Sequence, residues 1–272
     1  MNDLAVEQFR YSFDNLGYLI FGDRTAMAVD GGAVEDILSF LEKRRLELRW
    51  VVNTHSHYDH TSGNEALLKY SRARFIDCAA LAVLGRLELE GKIIQVYATP
   101  GHTRDSICFH TDTILLTGDT LFNGTVGNCF SGDIHSFYSS IRKILTLPPE
   151  TVIYAGHDYV RDSLAMARHL EPDNPAIDDF LSVYDPNHVY STLADELRIN
   201  PYLRFNEGRI VRLLREMELP CGTEEEPCMT RGKPGRSFWI FSRMSKRSFW
   251  SPLNLKAPCE VPMAQASESM PV

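Results

Sequence analysis

No stretch of the 272-residue chain holds about 18 consecutive apolar residues, so nothing in it reads as a membrane-spanning helix. The opening, MNDLAVEQFRYSFDNLGYLI, lacks the basic start and apolar stretch of a secretory signal. The six cysteines (Cys78, Cys108, Cys129, Cys221, Cys228 and Cys259) form no CxxC pair. Without a signal they read as reduced thiols, and the expected location is cytoplasmic. There is no GxSxG, the usual strand-to-helix elbow of a serine hydrolase. Positive charge is also scarce. The 28 Lys and Arg against 36 Asp and Glu leave −8, which argues against a nucleic-acid partner. At 44% hydrophobic and 24% charged residues, the composition is that of an ordinary globular protein. It excludes a collagenous, coiled-coil or wholly disordered chain. The length suits one large domain, or one with a small satellite.

Hydrophobic patterning predicts strands at Phe9–Ser12, Gly17–Phe21, Thr25–Val29, Leu48–Asn53, Ala73–Asp77, Ile93–Tyr97, Ile107–His110, Ile114–Thr117 and Thr151–Tyr154. It predicts helices at Val34–Leu46, Glu65–Tyr70, Cys78–Leu87 and Phe137–Leu145. Hairpin-like pairs are mixed with strand–helix alternation, which favours mixed sheets covered by helices. From about residue 160, helices at Arg161–Leu170, Thr192–Leu197 and Gly208–Glu218 are expected with no strands between.

The chemistry concentrates in Thr54-His55-Ser56-His57-Tyr58-Asp59-His60. Three histidines and a carboxylate within six positions suit zinc, iron or manganese. Nine histidines in the whole chain make this density hard to reach by chance, and no cysteine lies near, as a structural zinc site would want. On an extended chain His55 and His57 face the same way, while Asp59 and His60 come from the following turn. One segment can therefore serve two metals. Three more potential ligands each follow a predicted strand beside a glycine: Gly101-His102-Thr103, Gly118-Asp119-Thr120 and Gly156-His157-Asp158.

The order HxHxDH, GHT, GDT, GH resembles the metallo-β-lactamase superfamily over roughly residues 8–160. That resemblance implies an α+β fold, a four-layer αββα sandwich with a small C-terminal helical domain, and a site at one edge between the sheets. It implies that one metal takes His55, His57 and His102, that the other takes Asp59, His60 and His157, and that Asp119 bridges them. Two divalent ions sharing a water would lower its pKa and give a hydroxide for attack on an electrophilic carbonyl. Zinc is the expected pair, with iron and manganese as other ions of suitable chemistry. Asp59 would orient that hydroxide as the catalytic carboxylate.

Several segments are similar to the hydroxyacylglutathione hydrolase (glyoxalase II) branch: Asp14-Asn15 with Tyr18-Leu19-Ile20, Gly118–Phe122 (GDTLF), and His157-Asp158-Tyr159 where that branch has HEY. Glu171–Ile177 and Ser191-Thr192-Leu193 with Asn200–Arg204 extend the likeness to about residue 220. The implied reaction is hydrolysis of a thioester, S-(2-hydroxyacyl)glutathione such as S-lactoylglutathione, a small-molecule partner. Tyr159, Asn128 and Phe130 are the expected substrate contacts. Asn128 stands where the branch has a basic residue that helps hold glutathione, which leaves the thiol carrier open. Arg231, Lys233 and Arg236 are candidates for a second cationic contact by position only. A persulfide dioxygenase with one iron is the alternative, as is a superfamily hydrolase acting on another ester. The full set of seven and the NPYLR segment favour the thioester hydrolase.

The expected organisation is a metal domain over 1–165, a helical substrate-side domain over 166–226 and a divergent basic tail over 227–272, poorly ordered. The tail holds six of the 14 prolines, seven Lys and Arg against two Asp and Glu, and RSFW twice. It reads as an addition without a catalytic role. A surface anchor built on Phe238, Trp239, Phe249 and Trp250 is the weaker reading.

Overall fold

The structure is a computed structural model and describes residues 3–204 and 207–216. The chain begins with a meander, β1 (Ala5–Tyr11), β2 (Asn15–Phe21) and β3 (Thr25–Val29), and crosses through α1 (Val34–Arg44) to β4 (Glu47–Val52). Helices α2 (Tyr58–Thr61) and α3 (Asn64–Tyr70) then lead to β5 (Arg74–Phe75). These strands form one sheet in the order β1-β2-β3-β4-β5, antiparallel through β3 and parallel after it.

Helix α4 (Cys78–Leu84) precedes β6 (Arg86–Leu89), β7 (Lys92–Ala98), β8 (Ile107–Thr111) and β9 (Ile114–Gly118). A small hairpin, β10 (Leu121–Phe122) and β11 (Thr125–Val126), comes next, then α5 (Ile134–Ile144) and β12 (Val152–Ala155). The remainder is α6 (Val160–Leu170), α7 (Pro175–Val183), β13 (Ser191–Thr192), α8 (Leu193–Ile199) and α9 (Gly208–Glu216). The second sheet runs β13-β12-β9-β8-β7-β6.

Side-chain alternation along the strands explains the four layers. Leu16, Tyr18 and Ile20 of β2 face the second sheet and join Ile94, Val96, Phe109 and Leu116 in one core. Leu19 and Phe21 point the other way, into a core with Ile37 and Leu41 of α1 and Leu67 of α3. On the far side of the second sheet, Cys108, Leu115 and Ile153 pack on Phe137, Ile141 and Ile144 of α5. Every residue of β2 is buried, as a strand covered on both faces requires. The fold is the αββα sandwich that the sequence led us to expect.

Three expectations need correction. The helix predicted over Cys78–Leu87 stops at Leu84, because Gly85 takes the left-handed conformation (φ 68°) and its N–H closes on Leu81 O. Leu87 therefore belongs to β6, which pairs with β7 and was not foreseen. Strand β13 interrupts the segment expected to be helices without strands between, and helix α7 lies in it at a place where no helix was named. Asn174 caps α7 and Pro175 occupies its first turn, a start signal that the pattern held. Finally, His110, which has no partner motif in the sequence and so reads from it as a surface or capping group, is half-buried, stacked on Tyr97 with ring centres 5.7 Å apart and its Nδ1 3.2 Å from the Tyr97 hydroxyl. The last residues of the expected helical domain and the whole tail, with Arg231, Lys233 and Arg236, lie outside the described residues.

Candidate metal centre

β7 and β9 are each antiparallel to β8, so they run the same way, and β12 is parallel to β9. The C-terminal ends of β7, β9 and β12 therefore meet at one edge, where the end of β4 arrives from the other sheet. Backbone hydrogen bonds close this edge. Gly156 N–H donates to Gly118 O (2.9 Å), Leu16 N–H to Gly156 O (2.8 Å) and Ile107 N–H to Thr54 O (2.8 Å). Gly118 holds φ 48°, and a Cβ there would fall 2.3 Å from Thr54 Oγ1, so only glycine lets the two sheets approach.

The seven expected side chains come together as two groups. In the first, His57 Nδ1 lies 2.9 Å from His55 Nε2 and 3.1 Å from His102 Nε2. Asp119 Oδ2 lies 3.3 Å from His102 Nε2. In the second, His157 Nε2 is 3.2 Å from His60 Nε2 and 3.3 Å from Asp59 Oδ2. Asp119 reaches this group too, with Oδ1 3.4 Å from His60 Nε2 and Oδ2 3.6 Å from His157 Nε2. Asp59 is the open member, with 47% of its side chain exposed, while His60 has none.

The donor set fits divalent cations. Asp119 Oδ1 is buried and makes no hydrogen bond. Three imidazole nitrogens converge in the first group, and protons cannot satisfy all three lone pairs at once. Nitrogens about 2.0–2.1 Å from a tetrahedral ion stand about 3.3 Å apart, close to the separations here. Electrostatics agree. Burial, with the His60 charge nearby, depresses His55 to about 3 and keeps it a neutral donor. Burial also lowers His102. Burial opposes charge on His60 and His157, yet carboxylates outweigh it and raise both, Asp30 and Asp119 at His60, Asp59 and Asp119 at His157. The hydrogen bond from His157 holds Asp59 below the usual carboxylate range. The site thus draws positive charge to its centre.

Sequence reasoning missed the residues behind these donors. Asp30 Oδ2 lies 3.0 Å from His60 Nδ1 and accepts the Thr54 hydroxyl at 2.7 Å. Asp14 Oδ1 lies 3.0 Å from His157 Nδ1. Asn15 Nδ2 donates to Asp59 Oδ2 at 3.1 Å, and the Tyr11 hydroxyl to Asp59 O at 2.9 Å. The signal at Asp30 was its place at a strand end before Gly31-Gly32, where it holds φ 52°.

The three expected substrate contacts sit at the mouth in different ways. Tyr159 stacks flat on His157, 5.0 Å between centres and 5° between planes, with Phe122 edge-on. Phe130 is 67% exposed and lies edge-on to His102. Asn128 acts through its backbone carbonyl, 2.9 Å from His102 Nδ1, and its side chain is exposed.

Comparison with known proteins agrees with this geometry. The family model of the metallo-beta-lactamase superfamily matches residues 14–87 and 83–157, and that of the hydroxyacylglutathione hydrolase C-terminus matches residues 158–230. A hydroxyacylglutathione hydrolase of Chromohalobacter salexigens is 33% identical over 75% of this chain and 88% of its own length. The chain belongs to the metallo-beta-lactamase superfamily, in its hydroxyacylglutathione hydrolase family. The Polaromonas hydroxyacylglutathione hydrolase is 32% identical over 84% of this chain and 96% of that one. Among solved structures, ETHE1 from Myxococcus xanthus superposes with a TM-score of 0.59 at 26% identity, covering 79% of this chain and 92% of that chain. A metallo-beta-lactamase from Staphylococcus aureus shares the fold, with a TM-score of 0.55 at 19% identity over 98% of this chain and 78% of that chain. Membership in this superfamily, with the His and Asp groups found here, implies a hydrolase that works with divalent metal ions. No helix among the described residues is long and apolar enough to cross a membrane.

Proposed function

We propose that this chain hydrolyses a glutathione thioester, S-(2-hydroxyacyl)glutathione such as S-lactoylglutathione, using two zinc ions. The observation that carries the reading is the pair of donor groups, with Asp119 a member of the first and within 3.4 Å of His60 Nε2 and 3.6 Å of His157 Nε2 in the second. Its family relatives named hydroxyacylglutathione hydrolase support the substrate class. His55, His57 and His102 would hold one ion, Asp59, His60 and His157 the other, and Asp119 would contact both. When bound, the ions supply an acidified water and a Lewis acid for the thioester carbonyl.

The chain's own groups do the rest. Asp59, open to solvent and steadied by Asn15, is placed to orient the attacking water by accepting its proton in a hydrogen bond. His55 and His102, kept neutral by burial, offer lone pairs instead of protons. Tyr159 and Phe130 form aromatic walls for the substrate. Asn128 offers an amide where a cation would grip a carboxylate more strongly. The unpaired Cys78, Cys108 and Cys129 suit a reducing, cytoplasmic setting.

The test is turnover of S-lactoylglutathione against an acyl-coenzyme A by metal-replete protein. A strong preference for the glutathione ester is expected. Equal turnover, or cleavage of the acyl-coenzyme A alone, would overturn the choice of carrier while leaving thioester hydrolysis in place.

A further inference from the structure

The seven side chains are backed unequally. His60 and His157 each present Nδ1 to a carboxylate, Asp30 and Asp14, both at 3.0 Å. His55 presents Nδ1 to the Thr54 hydroxyl at 3.1 Å, and His102 to the Asn128 carbonyl at 2.9 Å. Thr54 gives its own hydroxyl proton to Asp30, so its oxygen is free to accept from His55. One half of the site therefore rests on neutral oxygens. The other rests on two carboxylates and adds a third, Asp59, as a donor. An imidazole whose Nδ1–H donates to a carboxylate is more basic at Nε2, and losing such a partner typically lowers metal affinity about 10–100-fold. The extra negative charge acts in the same direction on any cation held there.

We propose that the two halves bind divalent metal ions with unequal affinity, the Asp59/His60/His157 half loading first, and that Asp14 is the positioning residue that tightens it through His157. This rests on the reading of the seven side chains as ligands of two ions. Asp30 is a poor handle on one half. It takes the Thr54 N–H at 2.8 Å and the Thr54 hydroxyl as well as His60, so it supports both halves. Asp14 meets the set only at His157, and its side chain is 27% exposed, so replacing it disturbs little else.

The experiment titrates the metal-free full chain with zinc by calorimetry against a competing chelator, and with manganese followed by electron paramagnetic resonance. Two binding steps separated by at least about tenfold are expected. Asp14→Asn should weaken the tighter step about 10–100-fold. It should leave the weaker step unchanged, with a wild-type circular dichroism spectrum. His102→Ala should remove the weaker step and spare the tighter one. Two steps of equal strength, an effect of Asp14→Asn on the weaker step, or loss of the tighter step in His102→Ala would each overturn the proposal with the two-ion reading intact. Binding of fewer than two ions by the wild type would overturn that reading, and this proposal with it.

Discussion

Replacing Gly156 by alanine tests whether Asp119 is held where both donor groups can use it. Gly156 does not hold a positive φ, so alanine brings no left-handed strain. Its Cβ would instead fall 2.3 Å from Asp119 Oδ1 and 2.8 Å from His60 Cε1. Favourable non-bonded separations are about 3.5–4.0 Å, so the carboxylate must withdraw by about 1 Å. The buried strand ends on either side leave it no easy exit. Overpacking of this kind costs about 1–3 kcal/mol. For a body of this size each kcal/mol lowers Tm by about 2–4 °C, which gives a fall of about 2–12 °C. A displacement of about 1 Å at reacting groups reduces turnover on the order of a hundredfold. Scanning calorimetry, metal analysis and a thioester assay measure the three effects together. The control is Gly85→Ala, where a Cβ meets nothing within 4 Å but φ is 68°. It should lose about 1–2 kcal/mol to backbone strain and keep its metal content. Wild-type Tm and metal content in Gly156→Ala would refute the argument that Asp119 is sterically held.

Three further outcomes are expected. Burial pushes Glu196 up to about 7 from 4.5. Its folded pKa is raised, so its contribution is full below about 4.5 and lost as pH rises to about 7, about 3 kcal/mol in all. Urea melts at pH 5 and 7.5 should show this fall in the wild type and not in Glu196→Gln; equal slopes would refute it. Asn128→Arg should lower KM for a glutathione thioester about fivefold with kcat unchanged, since a charge-assisted hydrogen bond adds about 1 kcal/mol over a neutral one; an unchanged KM would remove Asn128 from the substrate site. Thr192→Ala breaks the capping box in which the Thr192 side chain and Asp195 exchange hydrogen bonds at the start of α8, and should cost about 1 kcal/mol by thermal melting.

The donor side chains were legible in the chain because each is a local event. A buried strand ends, a glycine or turn follows, and a histidine or aspartate sits within a few positions of the strand's end, as at His55, His102, Asp119 and His157. The short apolar runs of β2 and β3 and the helical period in α1 were readable for the same reason. Elements whose identity depends on a partner were not. β6 is a strand because β7 offers it a ladder, and β13 because β12 does. Ser191–Thr192 alone is too short to carry a period.

The sequence by itself determined which residues can bind metal, their order, and the strand ends that carry them. Tertiary structure alone decided that four strand ends from two sheets meet at one edge, and that Asp119 lies within reach of both donor groups. It also decided the partners behind the donors. Asp14 stands 143 positions before His157 and Asp30 stands 30 before His60, yet each carboxylate lies 3.0 Å from its imidazole. A hydrogen bond depends on distance and direction in space. No periodicity along the chain encodes which carboxylate will stand behind which histidine; the packing of the two sheets does.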